Sequence, residues 1–350
     1  MVEDATRPRR RGRTTTEVHM RICLMIEGQE DVSWNQWVTI AQACEDYGLD
    51  GLFRSDHFSS VQGTEARASL DAWTTLGGLA ARTTRLRLGT LVSPVTFRHP
   101  SVLAKSAATV DHISTGRVEL GMGAGWNEHE HATYGFDFPS GETRMEMLEE
   151  QIEIVHRQWT EGPFSFEGKH YRLSGLEALP KPLQRPHPPL IVGGSAHRRS
   201  AALAARWADE YNTVQATVDE CRERRARVAR TWEHQGRDPA QLRFSLMTSV
   251  VIGANQTDVL ARSRRLMAKG GAGGDPEQWL EGSRSRSVVG TPQQVVTRLQ
   301  ELEDAGVERV MLQNLLHDDL EVIALLGHEV APHLAERSTP PSRLLSPKLE

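Results

Sequence analysis

A helix that stops at a glycine and turns within a few residues into an apolar strand occurs at both ends of this chain. That unit constrains the fold more than any other feature. EDYGLDGLF (from Glu45) and EDAGVERVM (from Glu303) carry it in nearly the same form. Gly48 and Gly306 stand where a helix C-terminus calls for a left-handed residue. The first helix is predicted to start at Ser33 and places Trp34, Val38, Ala41 and Cys44 at helical spacing. The second opens on Thr291-Pro292-Gln293-Gln294, an N-cap, a first-turn proline and a capping-box Gln, and packs Val295, Leu299 and Leu302. A third example is Ser114-Thr115-Gly116-Arg117 before VELGM.

Apolar strand-length runs fall near residues 20–26, 50–54, 85–91, 118–122, 189–193, 209–214, 243–251 and 308–313, with helical patterns between most of them. The clearest helix carries Met145, Leu148, Ile152, Val155 and Trp159. Strands alternating with helices predict an α/β fold, a (β/α)8 TIM barrel, with a doubly wound open sheet as the competing arrangement. Residues 160–188 (EGPFSFEGKHYRL, then PKPLQRPHPP) and 253–290 (with KGGAGGDP) break the rhythm and read as insertions roofing the barrel mouth.

The predicted domain is 20–337, with a disordered basic tail at 1–19 and a loose Pro- and Ser-containing tail at 338–350. The RPRRRGR run (Arg7–Arg13) resembles a twin-arginine signal, but TTTEVH follows it in place of an apolar h-region, so export is not expected. Met20 is an alternative start. Cys23, Cys44 and Cys221 are widely spaced, which suits structural thiols in a reducing, cytoplasmic compartment. A formal charge of −5 argues against nucleic acid or an anionic membrane as partner. The 38 % hydrophobic and 25 % charged residues are those of a globular enzyme.

In a barrel, function sits just beyond each strand's C-terminal end. Those positions hold Arg54-Ser55-Asp56-His57, Ser93-Pro94, Gly123-Ala124-Gly125-Trp126-Asn127, Gly193-Gly194-Ser195, Asn212-Thr213 and Gln313-Asn314. Asp56 and His57 suit a proton-handling pair, although the same spacing suits an Asp capping a turn beside a surface His. Gly193-Gly194-Ser195 precedes a helix with Ala201, Ala204 and Ala205, where backbone amides can approach a phosphate. Arg198 and, from farther along the chain, Arg286 are candidates to assist there. A plain tight turn accounts for the same glycines. GMGAG (Gly121 to Gly125) only partly matches a dinucleotide fingerprint. Glu128-His129-Glu130-His131 has His at i and i+2, not the i and i+4 of a zinc helix, so no metal is expected. Trp126 and Asn127 are the better contacts for a planar ring.

These residues resemble the bacterial luciferase-like monooxygenase superfamily and, within it, the oxidoreductases dependent on the deazaflavin coenzyme F420. The resemblance runs through AQACEDYGLDGLFRSDHF, RLRLGTLVSPVTFRHPSVLAKSAATVDHISTGRVELGMGAGWNEHE, PKPLQRPHPPLIVGGSAHRRSAALAARWADEYN and VVGTPQQVVTRLQELEDAGVERVML. It implies a luciferase-like TIM barrel, usually a homodimer, with Asp56 and His57 at the cofactor ring. It also implies a phosphate on the amides of Gly193 and Gly194, and a non-prolyl cis peptide in the third strand, expected at Thr90–Leu91. Relatives acting on sugar phosphates carry a Glu where this chain has Trp126, with Glu128 two residues on, which tells against that substrate class. The expected activity is hydride transfer between F420 and a small organic substrate. The alternatives are a monooxygenase using reduced FMN and dioxygen, and a non-catalytic flavin- or deazaflavin-binding protein.

Overall fold

In this computed structural model, residues 20–62 and 66–336 are described; both predicted tails lie outside them. Eight parallel strands close on themselves: β1 (Arg21–Ile26), β2 (Gly51–Arg54), β3 (Arg87–Pro94), β4 (Val118–Gly123), β7 (Leu190–Gly193), β8 (Glu210–Val214), β9 (Arg243–Ile252) and β11 (Arg309–Gln313). Pairing of β8 with β9 and of β11 with β1 completes the ring, so the sheet is a barrel and not an open sheet.

Alternation along each strand divides the core. Ile22, Leu24 and Ile26 face outward into the layer shared with the helices. Cys23 and Met25 point inward, where they meet Phe53, Leu91, Ile191 and Met311 in the lumen. The two glycine stops behave as predicted: Gly48 has φ 78° and Gly306 has φ 88°. Helix α1 (Trp34–Asp46) begins at Ser33 with a capping box to Gln36, but its buried face is Trp37, Ile40, Ala41 and Cys44. Trp34 is instead exposed, while Ala41 and Cys44 are common to both faces, so the buried stripe is only partly rotated from the predicted one. All three cysteines are free and buried. Burial pushes the Cys23 thiol up to about 12, which suits an inert core residue.

The intervening helices are α2 (Ala72–Ala80), α3 (Pro100–Ser114), α4 (Glu128–Tyr134), α5 (Gly141–Thr160), α6 (Arg198–Trp207) and α7 (Val218–His234). After them come α8 (Gln256–Lys269), α9 (Pro276–Ser283) and α10 (Pro292–Asp304). Both insertions are real. The first holds an antiparallel hairpin, β5 (Phe164–Glu167) and β6 (Arg172–Leu176). The second holds α8, α9 and a short strand, β10 (Val288–Gly290), which extends the sheet beside Val250–Ile252 of β9. Neither insertion supplies a described residue to the wall of the central cavity, so the expectation that they roof it is not met. The segments after β2 and β4 supply much of that wall, and the ends of the other barrel strands supply the rest.

At the opposite, N-terminal end, five strands bring charges together. Arg309 lies fully buried between Glu119 and Glu210, with four N–H···O contacts of 2.6–3.2 Å. Arg87 adds a contact to Glu119, and Arg243 stands 3.7 Å from Glu210. This polar plug closes the barrel floor. The mouth is left as the accessible end.

Candidate active site

A cavity of about 600 Å³ opens at the C-terminal mouth, within the size range of small-molecule sites. Leu91, Val92, Val214 and Met247 give it an apolar wall, and Gly123, Gly193 and Gly194 let backbone form part of its surface. A Cβ on Gly123 would sit 2.6 Å from Val92 Cγ2, so only glycine leaves that face flat. The non-prolyl cis bond falls at Leu91–Val92, one residue later than expected at Thr90–Leu91. The β3–β4 register shifts between Thr90 and Ser93, so the added residue lies in a bulge. Leu91 lines the cavity, as expected. Thr90 does not: it is buried below, bonded to the Gly121 carbonyl and to Ser93.

Asp56 and His57 follow β2 directly, and both line the cavity, but they are not partners. Asp56 is buried and accepts bonds at Oδ2 from Ser93 Oγ and Arg98 Nη1, each 2.6 Å. Arg98 in turn binds Asp71, the N-cap of α2, at 2.6 Å. His57 Nδ1 lies 2.7 Å from Glu130 Oε2. The other Glu130 oxygen accepts the backbone N–H groups of Phe58 and Ser59. Burial alone would lower the His57 pKa, but the bond and charge of Glu130 outweigh it and hold the pKa above its ordinary value. The Glu130 pKa moves the opposite way: burial opposes, while His57 and the two amides hold the carboxyl below the usual range. The two directions agree on an ionic, tightly held pair.

Glu130 is the functional candidate that sequence reading passed over. Asn127 is the N-cap of α4, and its side chain accepts the Glu130 N–H. That cap turns Glu130 and His131 inward and leaves Glu128 and His129 exposed. Glu128, the alternative proton carrier, therefore faces solvent. His131 is held on both ring nitrogens, by the Asn127 carbonyl at 2.6 Å and Thr96 Oγ1 at 2.5 Å. Trp126 is 65 % exposed at the rim, edge-on to His57 with ring centroids 5.6 Å apart. Trp126, Asn127 and Gly123 all line the cavity.

The phosphate candidates divide. Gly193 and Gly194 line the cavity, but the Gly194 N–H already donates to the Asn212 carbonyl at 2.9 Å. Ser195 and Arg198 are exposed outside the cavity wall, where α6 begins at His197 without a side-chain cap. The uncapped first-turn amides of α6 are thus the ones open to an anion. Arg286 is bound to Glu220 at 2.6 and 2.9 Å and to the Gln215 carbonyl at 2.6 Å. Its charge is engaged next to, and not inside, the cavity.

A parallel barrel with a cofactor-sized, glycine-floored cavity at its mouth and a His–carboxylate pair in the wall defines a (β/α)8 ligand-binding protein of enzyme type. Residues 14–309 match the family model for luciferase-like monooxygenases, and the chain belongs to that family. It is 28 % identical to an F420-dependent glucose-6-phosphate dehydrogenase of Microbacterium testaceum, over 87 % of this chain and 94 % of that protein. It is 26 % identical to an FMNH2-dependent dimethylsulfone monooxygenase of Pseudomonas putida, over 87 % and 89 %. An uncharacterised Mycobacterium tuberculosis protein is 39 % identical, but over 43 % of this chain and about half (52 %) of its own length. Among solved structures, the F420-dependent tetrahydromethanopterin reductase of Methanopyrus kandleri shares the fold, with TM-score 0.73 at 19 % identity over 91 % of this chain and 100 % of that one. Relatives and fold neighbours use F420 or FMN, and family members are oxidoreductases or monooxygenases. Among the described residues, no helix is long and apolar enough to cross a membrane.

Proposed function

We propose that this protein is an F420-dependent oxidoreductase acting on a small organic substrate, with His57 as the proton-handling group and Glu130 holding it. The observation that carries the reading is the 2.7 Å His57–Glu130 pair in the wall of the cavity. When bound, a deazaflavin supplies two-electron hydride chemistry. The residues present fit a planar ring: the lining combines an apolar, glycine-floored surface with a few polar side chains. Leu91, Val92 and Gly123 would hold the ring, Asp56 would meet its polar edge, and the turn at Gly193 to Arg198 would hold its phosphate.

The protein's own work is then positional. Glu130 fixes the ring orientation of His57 and favours its protonated form. With Nδ1 engaged, Nε2 is the nitrogen left to exchange a proton with substrate. Arg98 neutralises Asp56 and keeps it in place. A second reading, a monooxygenase using reduced FMN and dioxygen, has support in the P. putida relative, which is similar over nearly the whole chain.

Titrating the protein with F420 and with FMN under anaerobic conditions, followed by turnover with and without oxygen, tests both. Binding of F420 with oxygen-independent turnover is expected. FMN binding with strictly oxygen-dependent turnover would replace this reading by the second, and binding of neither would remove both.

The turn has its own test. A Cβ on Gly194 would lie 3.0 Å from the Tyr211 hydroxyl, which receives the Ala196 N–H at 2.7 Å. Gly194→Val should push that hydroxyl away and distort the turn, weakening F420 binding by about tenfold or more, on the order of 1.4 kcal/mol. Unchanged affinity in a fluorescence titration would move the phosphate away from this turn.

A further inference from the structure

The cavity wall holds three carboxylates, Glu27, Asp56 and Glu130, and among the described residues no Lys or Arg lines it. Two of the three are balanced: Asp56 by Arg98 at 2.6 Å and Glu130 by His57 at 2.7 Å. Glu27 differs. It follows β1, is 8 % exposed, and is held by two neutral amides. Gln313 Nε2 donates to Oε1 at 2.6 Å and Gln29 Nε2 to Oε2 at 2.9 Å. Gln29 is fixed in turn by Ser55 Oγ at 2.5 Å. The nearby Arg54 guanidinium donates from Nε to the Ser55 carbonyl and from Nη2 to the Leu70 carbonyl, and its buried Nη1 makes no hydrogen bond, so it acts on Glu27 through charge alone.

A rigid carboxylate facing the cavity, with two neutral donors supplied and no ion pair of its own among the described residues, still has lone pairs to fill. Holding such a group partly desolvated is costly unless a ligand completes its shell. It also repels any second anion brought into the same cavity.

Resting on the reading of the cavity as a substrate site, we propose that Glu27 is its specificity-determining contact, selecting a substrate that carries an ammonium or hydroxyl donor and rejecting carboxylate and phosphate groups. Glu27 and His57 flank the same part of the cavity, from the ends of adjacent strands β1 and β2. After burial and the bond and charge of Glu130, the charge of Glu27 is the next influence on the His57 pKa. A donor seated on Glu27 is therefore presented to the proton-handling side chain.

Three probes of one size and different charge separate the possibilities: benzylammonium, benzyl alcohol and benzoate. Their binding is measured by calorimetry at neutral pH to the protein alone and to the protein saturated with F420 or FMN. Wild type should bind benzylammonium tightest and benzoate weakest. Glu27→Gln should narrow the ammonium–benzoate gap by roughly 10- to 100-fold, the worth of a hydrogen bond to a charged group. Glu27→Asp, which keeps the charge but withdraws it, should narrow the gap less. Equal binding of the three probes by wild type, or preference for benzoate, overturns the proposal without any variant. So does a gap that persists in Glu27→Gln. The cofactor titrations are read independently. Loss of probe selectivity with F420 or FMN still bound removes only the role of Glu27, and failure of both cofactors to bind removes the oxidoreductase reading.

Discussion

Arg309→Met should destabilise the barrel by about 3–5 kcal/mol, the cost of stripping one partner from a buried ion pair. Arg309 is completely buried and binds Glu119 through both Nη atoms, at 3.0 and 2.7 Å. It binds Glu210 through Nε and Nη2, at 3.2 and 2.6 Å. Its guanidinium also lies over the Phe53 ring at 5.1 Å. Methionine fills much of the volume but leaves two carboxylates facing each other across the floor. Burial would raise the Glu119 pKa, but Arg309 and Arg87 hold it well below the usual carboxylate range. A depressed folded-state pKa contributes stability above the ordinary carboxylate range, and this is lost as pH falls through the depressed value. Arg309→Met should therefore unfold more easily at neutral pH, and the gap to wild type should shrink in acid. Urea unfolding at two pH values measures both. Adding Glu119→Gln and Glu210→Gln should recover part of the loss. A loss under 1 kcal/mol would mean that Arg87 and Arg243 already suffice.

The same plug shows what the sequence could and could not disclose. All eight barrel strands were legible as apolar runs of strand length, and those at Gly51, Val118 and Arg309 were marked as well by a glycine just after the preceding helix. Arg309 and Glu119, by contrast, are charges near strand starts that no local pattern pairs. They are partners across 190 residues of chain, and only closure of the barrel brings them together. The cis bond slipped by one residue for a related reason. Between Thr90 and Ser93 the pairing with β4 jumps, so strand periodicity carries no information at Leu91 and Val92.

The mouth was half legible. Strand ends nominate positions, so Asp56, His57, Gly123 and Gly193 could be found without a structure. Direction could not: adjacent side chains diverge, and Asp56 turned to Arg98 while His57 turned to Glu130. A signal for Glu130 was present. Asn127 followed three residues later by Glu130 has the spacing of a helix N-terminus. Reading that stretch as helix would have separated Glu130 and His131 from Glu128 and His129. Arg286 misled because its charge is exposed in sequence terms but already matched by Glu220, whose own place is set by the Thr217 capping box.

His57→Ala should lower turnover by roughly 10²–10⁴-fold if His57 carries the proton, the usual worth of a general acid or base. Affinity for F420 should change little, because the proposed phosphate anchor lies across the mouth at Gly193 to Arg198. Glu130→Gln separates the proton role from mere packing. It retains a hydrogen-bonding side chain for His57 Nδ1 and the amides of Phe58 and Ser59 but removes the charge that raises the His57 pKa. In the substrate-reducing direction the protonated imidazole is the active form, so activity is lost as pH rises through the raised pKa. In Glu130→Gln that loss should move to lower pH, with a smaller fall in the maximum than in His57→Ala. Asp56→Ala should instead weaken cofactor binding and turnover together, because it leaves the half-buried Arg98 without one of its two carboxylates. The measurements are pH–rate profiles and cofactor titrations for the three variants. A His57→Ala enzyme with full activity, or a Glu130→Gln profile that does not shift, would assign the proton to water and leave the pair a structural clasp between β2 and α4.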